Sequence, residues 1–391
     1  MAIRDQNSLS ARQRRVHSTI QGISGYWRPI SGVARLLEEL GELSEHLESA
    51  KKGLYHPGLA EELADIWIIS TCTANQFNIK LGDSKAIDFG GAFTGNNFHN
   101  LVSHAGRIAR IVNYYDGPKN PRNFDSWPTL GPTIAALHSA LYRIANEFDV
   151  ALEKVIDEKI SAMISLEQRH PEKSFDPTTA ESLVHFQFIR LTTACPYANE
   201  ASLWGAPIWN SSCSISQNID SLLPYLISFT KAAVHEHLDG FVIEVNDDLL
   251  TQDMKILARW FREFLKTLAE KDLKPNAFDD VNIMQRGWQF SFNRIRLFIS
   301  VFSPLYRIDH PRYSSTKTFI ILQPETSFDH HNIGSRFLES NKIKKQVRQR
   351  FAQLGKSYLD DVIDARIEAS IYLPPRWEGD TSVNWWREEA E

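Results

Sequence analysis

GVARLLEELGELSEHLE (32–48) and, after a short break, GLAEELADIWIISTCTANQFNIKL (58–81) are the stretches that decide how this chain folds. In the first, Leu36, Leu40, Leu43 and Leu47 recur at helical spacing, with Glu39 bordering the stripe. In the second, LADIWIISTCTA (63–74) is apolar or small nearly all round, which predicts a buried helix. Acids three residues apart, Glu39 with Glu42 and Glu62 with Asp65, fall on one face of their helices. Asp65 sits in the apolar segment with no Lys or Arg within a turn. A buried carboxylate is costly unless a cation meets it. Since the facing helix also brings acids, a metal ion is the expected cation. A set of carboxylate ligands alone favours Mg²⁺ or Mn²⁺ over zinc. Glu38, Glu45, Glu48 and Glu61 read instead as ordinary solvated acids.

The pattern E-E-x-x-E, a spacer, then E-x-x-D at the opening of a buried helix resembles the MazG-like all-α NTP pyrophosphatases. It is carried here by Glu38, Glu39, Glu42, Glu62 and Asp65. The resemblance implies acids that bind Mg²⁺, which holds a triphosphate while water attacks and pyrophosphate leaves. VIDEKISAMISLEQRHP (155–171) is similar to the last helix of that family, with Arg169, His170 and Pro171 in its Arg-aromatic-Pro positions. The Lys and Asn that commonly precede them read here as Ala162 and Leu166, so Lys159 is the substitute phosphate contact. Trp27, in the turn GYWRPISG (25–32), is a candidate to stack on a nucleobase, or simply a core aromatic. Ser31 in that turn is a candidate helix cap.

Further along, TANQFNIKL (73–81) matches IANEFDVAL (144–152), and EELGEL (38–43) aligns with SHAGRI (103–108). This reads as an internal duplication. His104, Arg107, Ala136 and Thr133 then stand for the four acids, so the second copy keeps the helical pattern and loses the carboxylates. The resemblance implies short helical units that associate; a chain with two halves is expected to complete the bundle with itself. Arg107, Arg110 and Lys119 would then face the phosphates, or be plain surface.

A chain of 391 residues is too long for a single core. A formal charge of −5 offers no overall basic footprint, so nucleic acid is not an expected partner. No apolar run is long enough to span a membrane, and the basic N-terminus has no apolar segment behind it. Three scattered cysteines make neither a disulfide framework nor a zinc site, and a reducing cytoplasm is the expectation. PEKSFDPTTAES (171–182) reads as a boundary. The expected division is a helical domain over 1–172, its acidic half about 26–82 and its degenerate half about 97–172. A linker over 173–182 and an α+β domain over 183–391 follow.

In the α+β part, HFQFIRL, GFVIEV, WQFSF, RLFISVF and KTFIILQ read as strands, between helical stretches. The order Cys195–Ala198, Pro304–Tyr306, His310–Arg312, Leu322–Pro324 and Phe328–Asp329 resembles the YqcI/YcgG family. Some relatives are haem-dependent N-oxygenases of guanidino groups, which implies haem as a cofactor here. Cys195 and His310 are the candidate axial ligands, with His330, His331 and His185 behind them, and Arg312 is a candidate to hold a substrate carboxylate. Cys195 as a small buried hydrophobe and His310 as a turn residue are the plainer readings.

Taken together, these patterns predict a two-domain protein whose helical half is a Mg²⁺-dependent nucleoside triphosphate pyrophosphohydrolase, with homodimer formation as a further expectation. Glu39, Glu42, Glu62 and Asp65 would hold the metal, and one of them or Glu38 would orient the water. Lys159, Arg169 and Trp27 would contact substrate. The rivals are an N-oxygenase in the second domain, or a nucleotide-regulated binding protein without catalysis.

Overall fold

The structure is a computed structural model and describes residues 9–23, 25–52, 58–83, 97–120, 127–165, 175–273, 278–333, 340–356, 367–377, 380–381 and 383–387. The chain divides into two compact units, Met1–Asp176 and Pro177–Glu391.

The described part of the first unit holds six α-helices, α1 (Leu9–Ile23), α2 (Pro29–Lys51), α3 (Leu59–Gln76), α4 (Asn97–Tyr115), α5 (Leu130–Glu147) and α6 (Leu152–Ser165), with a short 3-10 turn at Leu81–Asp83. Helix α2 starts at Pro29, whose fixed φ suits a first helical position, so Ser31 lies inside the helix rather than capping it. The carboxylate of Asp116 accepts the Ile30 N–H at 3.1 Å, satisfying one of the free donors at that helix end. Leu36, Leu40, Leu43 and Leu47 are buried against α3 and α4. Each contributes about 1.5–3 kcal/mol by leaving water. Helix α3 is buried almost throughout and packs on α2, α5 and α6. Helix α1 is tied to α6 by Arg12, a buried guanidinium paired with Glu153 at 3.1 Å and Asp157 at 3.3 Å.

The repeat in the sequence has a counterpart in the backbone. Helices α3 and α5 each span 18 residues, offset by 71. Each is capped by a phenylalanine, Phe77 or Phe148, with φ near −110°. Each then turns through a left-handed residue, Asn78 (φ 57°) or Asp149 (φ 52°). The closing bonds match as well: Ile79 N to Ala74 O at 2.9 Å, and Val150 N to Ala145 O at 2.8 Å. Helix α2 packs on α3 as α4 packs on α5, and α2 also meets α4. Across the α3–α5 seam, Trp67 stacks on His138 with centroids 5.0 Å apart, and these two residues are 71 positions apart. Equivalent positions therefore meet each other, as in a two-fold dimer interface.

The second unit is α+β. Helix α7 (Glu181–Thr192) leads into β1 (Leu203–Gly205), α8 (Ile215–Glu236), β2 (Gly240–Val245) and α9 (Met254–Glu270). Then come α10 (Asp280–Ile283), β3 (Ser291–Phe292), β4 (Ile295–Phe302), β5 (Thr318–Pro324), α11 (Glu325–His330) and α12 (Ser340–Gln353). The sheet order is β1-β2-β5-β4-β3, with β1 parallel to β2 and the remaining pairs antiparallel. Asn293 and Arg294, both at positive φ, form the two-residue turn joining β3 to β4. A capping box at Ser214 and Gln217 starts α8.

HFQFIRL, expected as a strand, lies in α7. Phe186 and Ile189 are buried while Val184, Phe188 and Leu191 are exposed, a three- and four-residue spacing rather than an alternation. Helix α7 packs on β1 and β2, joining a core with Leu203, Val242, Phe302, Phe319 and Ile321. Residues 177–182 thus go with this unit rather than forming a free connector. The C-terminal aromatics close the core. Trp385 is fully buried and its indole N–H donates to Ala369 O at 2.7 Å.

Candidate metal centre

Helices α2 and α3 bring Glu39, Glu42 and Glu62 together, with one oxygen from each lying within 4.8 Å of the others. Among the described residues this trio is the set of acids, histidines or cysteines close enough to share an ion. Glu39 borders the leucine stripe and is 4% exposed, Glu62 is 9% exposed, and Glu42 opens to solvent. The site is therefore a buried pair of carboxylates with a third, exposed one at its mouth.

The electrostatics follow from that placement. Burial pushes the Glu62 carboxyl up to about 8, reinforced by a hydrogen bond with Glu39 and by the charges of Glu39, Glu42 and Asp65. Glu39 is also raised, first by burial and further by Asp65 and Glu42; its hydrogen bond with Glu62 and the Arg35 charge oppose the rise. Below about pH 8 the pair holds a proton between them. Glu62 Oε2 is shut off from solvent and meets no hydrogen-bond partner among the described residues. A buried lone pair without a donor is costly, and a divalent cation would satisfy it. Three carboxylates, one with an unpartnered oxygen, suit a hard ion such as Mg²⁺ or Mn²⁺.

Asp65 does not join the trio. Lys159, reaching from α6, donates to Asp65 Oδ2 and also approaches Glu61 O at 3.4 Å. The cation absent from its own helix is thus supplied from 94 residues away. Burial still raises the Asp65 carboxyl, with Lys159 and Arg35 pulling against it. Lys159 is held as a carboxylate partner, not as a free phosphate contact.

Arg35 escaped the reading of the sequence. Its guanidinium pairs with Glu38 at 2.6 Å and Glu39 at 2.8 Å, and stands 5.5 Å from the Trp27 ring centroid. The i,i+3 and i,i+4 spacing to two acids was the available signal. Glu38 is half exposed on the outer side of this pair. Trp27 is 50% exposed, and its carbonyl accepts from the Gln76 amide. Arg169 lies outside the described residues. In the second hairpin, the Arg107 charge bears on His104, and the Arg110 guanidinium stands 5.1 Å from the Trp127 ring centroid. Lys119 is exposed.

In the second unit the proposed haem ligands sit in settings that do not suit iron. Nδ1 of His310 accepts the Arg312 backbone N–H at 3.0 Å, and the ring stacks on Tyr306 at 4.2 Å. Burial, helped by Arg312, holds its pKa down to about 4, so the ring is neutral and carries its hydrogen on the other nitrogen. Neither nitrogen then offers a lone pair to a metal. Burial also raises the Cys195 thiol, against the pull of Arg312 and Arg350, which disfavours the thiolate a haem would need. The Arg312 guanidinium stands 5.2 Å from the Phe302 ring centroid.

A denser polar cluster lies nearby. Asp239 accepts from Ser327 Oγ at 2.7 Å, Ser202 N at 2.8 Å and His331 Nε2 at 3.0 Å. His237 stacks on His330 at 4.1 Å. His185 pairs with Glu244 at 2.6 Å.

No helix among the described residues is long and apolar enough to cross a membrane. No curated protein and no solved structure matches the chain. Residues 191–364, from the end of α7 past α12, match the model of the YqcI/YcgG family, so the second unit carries a YqcI/YcgG domain.

Proposed function

We propose that the helical unit is a divalent-metal-dependent nucleoside triphosphate pyrophosphohydrolase that releases pyrophosphate from the nucleotide. The observation that carries this reading is the meeting of Glu39, Glu42 and Glu62, with an unpartnered buried oxygen on Glu62. Its similarity in pattern to the MazG-like enzymes supplies the reaction. Glu39, Glu42 and Glu62 hold the ion, which when bound neutralises charge on the triphosphate and on the departing pyrophosphate. Glu38, half exposed and oriented by Arg35, is the carboxylate left to accept a proton from the attacking water. Arg35 and Lys159 bring fixed positive charge to the rim, and the exposed Trp27 indole offers a flat face for a base.

The test is pyrophosphate release from a panel of NTPs and dNTPs with Mg²⁺ or Mn²⁺. Release that is lost in Glu42→Gln and Glu62→Gln supports the assignment. Silence across the whole panel removes it, and a Soret band in the purified protein would move the chemistry to the second unit.

A further inference from the structure

The geometry points to a site that takes one divalent cation, with the Lys159 ammonium standing on Asp65 where a second ion would otherwise bind. The inference rests on the metal-binding part of the reading above and not on hydrolysis.

Two independent observations carry it. The first is the division among the four acids. Glu39, Glu42 and Glu62 converge, and one of them presents a buried oxygen without a donor. Asp65 stands outside that trio, with its Oδ2 taken by Lys159. The second is the way Lys159 is held. Its side chain is 27% exposed and that of Asp65 26%, so most of the pair is covered by protein. The ammonium also reaches the Glu61 carbonyl, a second acceptor on the same helix. Helix α6, which carries Lys159, packs directly on α3, which carries Asp65, so the pairing is built into the helix contact.

Displacing that ammonium with an ion would strand a covered positive charge beside a doubly charged one. At separations of a few ångströms and reduced dielectric that repulsion is large. The charge balance agrees. Arg35 and Lys159 set two positive charges against Glu38, Glu39, Glu42, Glu62 and Asp65, so one divalent ion at the trio leaves a single net negative charge and a second would turn the cluster positive. Lys159 is then a positioning residue. It fixes how many ions the site accepts, and it keeps a permanent cation next to the bound one.

Counting Mn²⁺ bound to the full-length chain, by the EPR signal of the free ion, tests this. Each count is read as the difference from Glu62→Gln, which removes the trio. One ion is expected in the wild type and one in Lys159→Arg, which keeps the cation. Two are expected in Lys159→Met, where Asp65 is released. Two ions in the wild type, or a single ion in a folded Lys159→Met protein, would overturn the inference while leaving the metal reading intact. No difference between wild type and Glu62→Gln would instead remove the metal reading and this inference with it.

Discussion

The hairpin of α2 and α3 and the hairpin of α4 and α5 share a backbone and oppose each other in charge. Their second helices have the same length, the same phenylalanine cap and the same left-handed exit. Yet the first gathers Glu39, Glu42 and Glu62, whereas the second has His104, Arg107 and Thr133 among the aligned positions. The consequence is visible in protonation. Burial and neighbouring acids raise Glu62 to about 8, so that hairpin attracts protons and cations. Burial, Arg107 and Arg143 lower His104 to about 4, so the other hairpin rejects them. Apolar packing and helix ends preserve the scaffold, and the polar residues are free to change the chemistry it carries.

Neutralising charged residues at matched positions should separate the two hairpins most strongly. Glu42→Gln and Glu62→Gln should each lower pyrophosphate release by about a hundredfold to a thousandfold. Arg107→Gln, on the other hairpin, should leave the rate within about twofold. If Arg107→Gln were as damaging as Glu42→Gln, the second hairpin would belong to the active site.

The seam between the hairpins is next in size. Trp67→Ala removes a fully buried indole and its stack on His138, and should cost about 3–5 kcal/mol in denaturant unfolding of the helical unit. A loss below about 1 kcal/mol would mean that the two copies do not depend on this contact.

A pH series then sharpens the electrostatic contrast. The Glu62 carboxyl has a folded-state pKa of about 8 against an ordinary value of 4.5. The folded chain therefore binds the extra proton between these values. The stability this gives is complete below about pH 4.5 and is lost as pH rises through about 8. Without metal, melting of the wild type relative to Glu62→Gln should fall across that window. Adding Mn²⁺ below pH 8 should release close to one proton, read as acid output in weakly buffered solution. A flat difference curve would show that Glu62 is ionised throughout.

The smallest effect tests the shared backbone. Asn78→Ala and Asp149→Ala each leave a left-handed residue without the short polar side chain that eases that conformation, and should each cost about 1 kcal/mol, equally within error. Unequal costs would show that the two exits differ in more than sequence.

The leucine stripe and the apolar run made α2 and α3 legible, and the three-residue spacing of the acids put Glu39, Glu42 and Glu62 on faces that do meet. What the sequence hid was long-range or unusually short. Lys159 meets Asp65 across 94 positions, and no local pattern announces such a partner. Strand β1 has three residues, all buried, too few to show a period. WQFSF contributes only Ser291 and Phe292 to a strand. HFQFIRL has strand-like composition, and helical spacing decided against it once α7 found a sheet to lie on. His310 looked like a ligand by residue type, but a backbone N–H two residues on had already taken its lone pair.

The Trp67–His138 seam has a consequence for how nucleotide would be handled. In a symmetric pair of separate chains, each bound ligand reports to an identical neighbour. Here the neighbour is covalently attached and no longer equivalent, so occupancy per polypeptide should saturate at one along a simple hyperbola, insensitive to protein concentration.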